Sequence, residues 1–265
     1  MTASYCFHAK FTPSYGKLLL MNQSMKPLFL ALCALLSSHH LFAMDVSYTD
    51  SAIVIDGVAE QTWQQATWHD MPYLMDGSLP DSKQDFSGRY RLLWDKNYLY
   101  LQAEITDDKL IDTHADPTMN YWDDDCLEVF IDSDASGGNH QFNHTAFAYH
   151  IGLDNQAADY GPDKQAHLYT DHLKSQWRRS SEAPHNIIWE VAIKLYPDNY
   201  QEGQQNSPLV LTGDQVIGFM LAYCDNDGSD VREHFMGSHE VEPLNGSRNR
   251  GFIDASVFGK ITLKL

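Results

Sequence analysis

Two short acidic stretches carry the residue types that a hard cation needs. Asp132-Ser133-Asp134-Ala135-Ser136-Gly137-Gly138-Asn139 alternates oxygen-bearing side chains and ends in flexible glycines. Asp225-Asn226-Asp227-Gly228-Ser229-Asp230 repeats the theme. Ca2+ takes about six to eight oxygens in relaxed geometry, so Asp132, Asp134, Asp225 and Asp227 are the candidate ligands. Neither stretch has the terminal Glu of an EF-hand, and each also reads as a polar hairpin turn. His140, His144 and His150 stand at even separations that would put them on one face of a strand. A metal site there would also need convergence and outer hydrogen-bond partners. Tyr121-Trp122 precedes a run holding Glu128. Flat aromatic faces pack on the C–H faces of sugar rings, while carboxylates and amides bond the hydroxyls. Glu128 alternates with Cys126 and Phe130, so its carboxylate needs a partner, either internal or a ligand. The many carboxylates leave a glycosidase pair open, but counting cannot place two of them about 5–9 Å apart. No nucleophile elbow, HExxH, P-loop or dinucleotide-binding glycine pattern is present.

The elements that must position these residues are strands. In Tyr98–Thr106, Leu99, Leu101, Ala103 and Ile105 face one way and Tyr98, Tyr100, Gln102 and Glu104 the other. Arg89–Trp94 joins it through Asp95-Lys96-Asn97 as a hairpin. Cys126–Asp132 alternates with both faces partly apolar, which predicts a central strand. Phe142–Leu153, Ile187–Leu195, Val216–Cys224 and Phe258–Leu265 read as further strands, separated by turn-rich stretches. The best helical piece is Ala59–Ala66, anchored by Trp63. This pattern predicts one all-β sandwich of about 220 residues.

Residues 1–43 contain no Asp or Glu, and all 36 acidic residues follow Ala43. A basic start and apolar run at Met25–Leu36, ending near Leu41-Phe42-Ala43, predict a cleaved signal peptide whose real start is Met21 or Met25. The remaining 44–265 would carry 15 basic against 36 acidic residues, a net of −21 compared with −18 for the whole chain. Such acidity excludes nucleic acid as a partner, and no stretch is long enough for a membrane span. Export implies a secreted or periplasmic protein. Cys126 and Cys224 would then be two buried thiols or one bridge.

Four ordered segments carry a resemblance. They are Ile55-Asp56-Gly57-Val58-Ala59-Glu60-Gln61-Thr62-Trp63, then Leu93–Tyr100 with Ile105–Asp108, then Trp122–Asp132, and Ile217-Gly218-Phe219 with Asp225–Asp227 and Phe258-Gly259. The chain resembles the family 9 carbohydrate-binding modules and their relatives. The resemblance implies an antiparallel β-sandwich (CBM9-like, DOMON-like) that grips a sugar end between two aromatic rings, with Ca2+ as a structural ion. It implies that Trp122 is one wall and Phe252 the other, in place of the usual Trp. Glu128 and Asn249 match sugar-bonding positions. Asn143 and Thr145 stand where sugar binders of the family carry Arg and Asn, so specificity would differ. A non-catalytic carbohydrate-binding protein acting beside a glycoside hydrolase is the main expectation. The alternatives are a glycan-active enzyme and a haem-binding redox domain using Met220, Met236, His234 or His239.

Overall fold

The computed structural model describes residues 43–265, so the signal-peptide expectation falls outside the described residues. Among the described residues, fourteen strands form in chain order: β1 Met44–Tyr48, β2 His69–Asp70, β3 Tyr73–Gly77, β4 Phe86–Trp94, β5 Leu99–Asp107, β6 Cys126–Asp132 and β7 Phe147–Gly152. They continue as β8 Ala157–Tyr160, β9 Ala166–Leu168, β10 Leu173–Arg179, β11 Ile187–Ile193, β12 Val216–Asp225, β13 His234–Gly237 and β14 Gly259–Lys264. They hydrogen-bond along the path β10-β11-β5-β4-β1-β14-β12-β6-β7-β8-β9, with β2 added to β4, and β13 linking β12 to β3.

The path turns back on itself to make two layers over one core. Leu99, Leu101, Ala103 and Ile105 of β5 share that core with Leu127, Val129 and Ile131 of β6, as their alternation requires. Rings bridge the layers: Phe86 stacks on Tyr223 at 5.5 Å, and Tyr90 meets Phe219 at 5.6 Å. The opposite face of β6 is covered too. Cys126 and Phe130 lie in a second apolar layer with Met220, Ala222 and Phe258, so β6 is the central strand its two-faced pattern predicts. Burying each large side chain here stabilises the fold by about 1.5–3 kcal/mol.

The expectation of a purely antiparallel sandwich needs correction. β1 runs parallel to both β14 and β4. It fills the seam between the two halves of the path, and Trp94 fixes it by donating from Nε1 to the Val46 carbonyl at 3.0 Å. The helical piece expected at Ala59–Ala66 is a short 3-10 turn, Gln61–Gln65. Trp63 is fully buried there, and its Nε1 donates to Glu190 Oε1 at 2.9 Å. Phe142–Leu153 is also shorter than expected, because only Phe147–Gly152 is strand. The Asn143 side chain bonds the Asn139 carbonyl and accepts from the Thr145 amide, which makes a turn of the preceding residues.

Candidate functional site

The β6–β7 register places Glu128 opposite His150. Glu128 is 2 % exposed and His150 7 %, and Oε2 of the carboxylate lies 3.1 Å from Nε2 of the ring. Burial alone would lower the pKa of His150. The adjacent Glu128 carboxylate outweighs that, and the ring titrates above its ordinary value. This pair forms the floor of a cavity of about 690 Å3.

Aromatic rings make the walls. The loop before β6 turns at Asn120, whose positive φ of 53° suits Asn, and Asp123 N–H closes the turn on the Asn120 carbonyl. Tyr121 thereby packs edge-on against both Trp122 (5.0 Å) and His150 (4.8 Å). Trp122 is left half-buried on the cavity. Phe252 faces the same cavity from the loop before β14. That loop comes close because residue 251 is glycine: a Cβ there would meet Phe130 Cε1 at 2.5 Å and Met220 Cε at 2.6 Å. Phe142 and Tyr160, edge to face at 5.8 Å, complete the apolar lining.

The polar lining is more mixed. Arg232 donates to the Trp122 carbonyl at 3.3 Å and to Cys224 Sγ at 3.2 Å, and lies 3.5 Å from Asp76. It thus props the Trp122 loop from below. Asn249 lines the cavity and donates to Asp76 Oδ2 at 3.3 Å. Burial pushes the Asp159 carboxyl up to about 7 although Ala148 and Tyr160 backbone N–H groups bond it. Cys126 and Cys224 are free thiols opposite each other on β6 and β12.

Residues 55–265 match the family described as carbohydrate family 9 binding domain-like. The chain belongs to this family. Among curated relatives of this family 9 chain, endo-1,4-beta-xylanase A of Thermotoga maritima is 24% identical over 212 residues, 79% of this chain and 17% of the xylanase. Endo-1,4-beta-xylanase C of Paenibacillus barcinonensis is 26% identical over 211 residues, 79% of this chain and 16% of that enzyme. The chain therefore spans about a sixth of the length of these relatives. A family 9 module from Caldicellulosiruptor kristjanssonii, solved with cellotriose, superposes with a TM-score of 0.59 at 18% identity. The match covers 84% of this chain and 93% of that one. The same module solved with glucose also gives 0.59, at 19% identity, covering 84% and 95%.

Of the residues singled out from sequence, Trp122, Glu128, Asn249 and Phe252 line this one cavity. Asn143 does not. It opens with Thr145 on a separate surface groove, because the turn at 139–145 carries it away. Sequence reading missed Arg232, Asp159, Tyr160 and Lys164 as lining residues. The partner of Glu128 was also missed, although a β6–β7 register would have revealed it. His140, His144 and His150 do not share a strand face. His140 bonds the Gly251 carbonyl at 2.7 Å, and only His150 lies in β7. The candidate haem ligands are engaged separately. Met220 and Met236 fall in different apolar clusters, His234 meets the Ser78 carbonyl, and His239 meets the Ser238 hydroxyl.

The acidic residues gather more densely than their loops suggest. Asp107, Asp125 and Asp225 bring carboxylate oxygens within 4.8 Å of one another, all three buried. Asp85 extends the group, once with His234 and Asp225 and once with Asp108 and Asp227. Asp107 Oδ1, both Asp225 oxygens and Asp227 Oδ1 are buried without a hydrogen-bond partner. Burial and then the charge of Asp107 push Asp225 up to about 9. Burial raises Asp107 and Asp125 as well. Orphaned carboxylate oxygens at this density suit a divalent hard cation, which would satisfy them together. Asp132 and Asp134 gather with Asp198 in a more exposed group. Among the described residues, no helix is long and apolar enough to cross a membrane.

Proposed function

We propose that this family 9 domain is a non-catalytic carbohydrate-binding protein that holds a sugar or glycan end between Trp122 and Phe252. The observation carrying this reading is one cavity in which two apolar ring walls stand over a buried carboxylate. Sugar rings offer C–H faces to such walls and hydroxyls to such a floor. In this reading Glu128 accepts from hydroxyls while His150 holds it in place, and Asn249 contributes at the rim. The relatives solved with glucose and cellotriose support a neutral, glucose-like ligand. Hydrolysis by the same cavity is the weaker reading. Asp159, the carboxyl with the raised pKa, is anchored by one backbone N–H on each oxygen, from Tyr160 and Ala148.

A Ca2+ ion held by Asp107, Asp125 and Asp225, with Asp227 close by, would neutralise the acidic cluster and brace the start of β6. Secretion or periplasmic residence, and action beside a glycoside hydrolase, complete the proposal; the xylanase relatives support the latter. Retention on a gel carrying immobilised glucan or xylan tests the site. The parent chain is retarded and eluted by free sugar, whereas Trp122→Ala passes unretarded. Equal retention of the two would overturn the assignment. A glycan array read with and without EDTA then names the sugar and tests the ion together.

A further inference from the structure

The Ca2+ proposed above takes Asp225 together with Asp107 and Asp125, yet Asp225 has two orphaned oxygens and a second set of neighbours. The β12–β13 register sets His234 directly opposite Asp225, so both side chains leave the same face of the sheet. His234 is 7 % exposed and Asp225 1 %. His234 Nδ1 lies 2.7 Å from the Ser78 carbonyl. A carbonyl can only accept, so Nδ1 carries the ring proton and Nε2 of the neutral ring presents a lone pair. That lone pair faces Asp85 Oδ2 at 3.4 Å, a meeting of two acceptors that makes no hydrogen bond. Asp85 stands one residue before β4, where Phe86 pairs with Asp107, and the Asp81 amide bonds its Oδ2 at 2.5 Å. Ligand atoms of Asp85, Asp225 and His234 all lie within 4.8 Å of one another. An imidazole whose remote N–H is fixed by a backbone carbonyl, beside a carboxylate fixed by an amide, has the outer hydrogen bonds of a metal site.

We propose that Asp85, Asp225 and His234 bind one divalent transition-metal ion of the Zn2+ type, with Asp225 bridging it to the Ca2+ position. Tetrahedral Zn2+ with bonds of about 2.0–2.1 Å places its ligand atoms about 3.3 Å apart. The His234–Asp85 pair already stands at 3.4 Å. Three protein ligands leave the fourth position to water. The imidazole selects a borderline metal over Ca2+, which prefers an all-oxygen shell. Charge favours a second ion as well. Asp85, Asp107, Asp108, Asp125, Asp225 and Asp227 form overlapping groups, against which Lys109 approaches Asp227 alone, at 3.7 Å. A shared carboxylate lets two cations sit side by side in such a cluster. The ion would tie β12 and β13 to the segment before β4, and through the His234–Ser78 bond to the end of β3. Residue 77 allows that approach as a glycine, since a Cβ there would overlap the Glu233 carbonyl oxygen. Asp76, Gly77 and Arg232 on these same segments line the sugar cavity, so the ion would brace one of its walls.

Calorimetric titration of Zn2+ into the untagged full chain, in excess Ca2+ to fill the all-oxygen position, tests the proposal. One equivalent binds in the parent. His234→Asn keeps an N–H for the Ser78 carbonyl but removes the ligating nitrogen, and Asp85→Asn removes the ligating charge at constant shape. Each should weaken the phase at least as much as loss of an outer partner does, about 10–100-fold. Both variants keep Asp107, Asp125 and Asp225, and an unchanged circular dichroism spectrum shows that the fold survives. Co2+ added to the parent gives a reading that needs no variant, because intense visible absorption marks a four-coordinate site. Absence of a one-equivalent Zn2+ phase or of that absorption in the parent overturns the proposal, as does an unaltered phase in either folded variant. A rise in Tm with Ca2+ but no Zn2+ phase leaves the Ca2+ reading standing, and sugar retention is measured separately.

Discussion

Chelation should reverse the ordinary response of this protein to acid. Asp225 is 1 % exposed, its two oxygens lack partners, and its carboxyl titrates at about 9 when no cation is bound. The unfolded chain releases that proton near the ordinary value of 3.8. Between those two values the folded state holds a proton that the unfolded state has lost, so stability falls as pH rises. From pH 5 to pH 7 the change is about 2.7 kcal/mol, at about 1.36 kcal/mol per pH unit for one group. For a domain of this size that lowers Tm by about 5–10 °C. Asp107 and Asp125, raised by the same burial, act in the same direction. Ca2+ binds the ionised carboxylates, so excess Ca2+ should remove the fall. Scanning calorimetry in EDTA and in millimolar Ca2+ at pH 5, 6 and 7 reads this directly. Asp225→Asn keeps the shape but cannot ionise, so it should lose part of the pH slope and most of the Ca2+ response. A Tm in EDTA that is flat or rises from pH 5 to 7 would refute the reasoning, as would an Asp225→Asn slope equal to the parent's.

Glu190 is buried and accepts from Trp63 Nε1, Gln102 Nε2 and the Asp56 and Gly57 amides. Glu190→Ala should cost about 3 kcal/mol by leaving those donors unpaired, visible as a lower urea midpoint. Gly251→Ala forces a Cβ against Phe130 and Met220, so it should displace Phe252 and weaken sugar affinity about tenfold, read by titration with the best array ligand. Asn143→Ala should leave that affinity within about twofold of the parent, because the residue opens on a different groove. A larger loss would return Asn143 to the sugar site.

Strands buried on both faces were legible because their alternation has few competing readings. β6 begins and ends at Cys126 and Asp132, as its pattern of Leu127, Val129 and Ile131 requires. β10 was missed because its sequence, LKSQWRR, pairs on one side only and alternates polar residues with half-buried ones. β8 and β9 were missed because strands of four and three residues carry too little periodicity. In the site, Trp122 and Glu128 were legible through local chemistry and family resemblance. Arg232 was not, since its role depends on reaching back across β12 to the Trp122 carbonyl. The acidic cluster shows the same division. Asp225 and Asp227 advertise themselves in a polar loop, whereas Asp107 and Asp125 sit at strand boundaries, where sequence alone does not bring them together.

The parallel seam at β1 constrains the order in which this fold can close. Met44 lies opposite Ile261, near the other end of the chain, and β1 touches β4 through only the Ser47 and Tyr48 positions. Local hairpins such as β4–β5 can form while the chain is short, but β1 has no lasting partner until β14 exists. Loop closure on that scale is entropically slow. During that wait the flank of β4 facing the seam lies open, and an unpaired strand flank recruits other chains. Deleting β14 would therefore leave more than a local scar: it would release β1 and uncover the strand flanks of β4 and β12 that the seam closes.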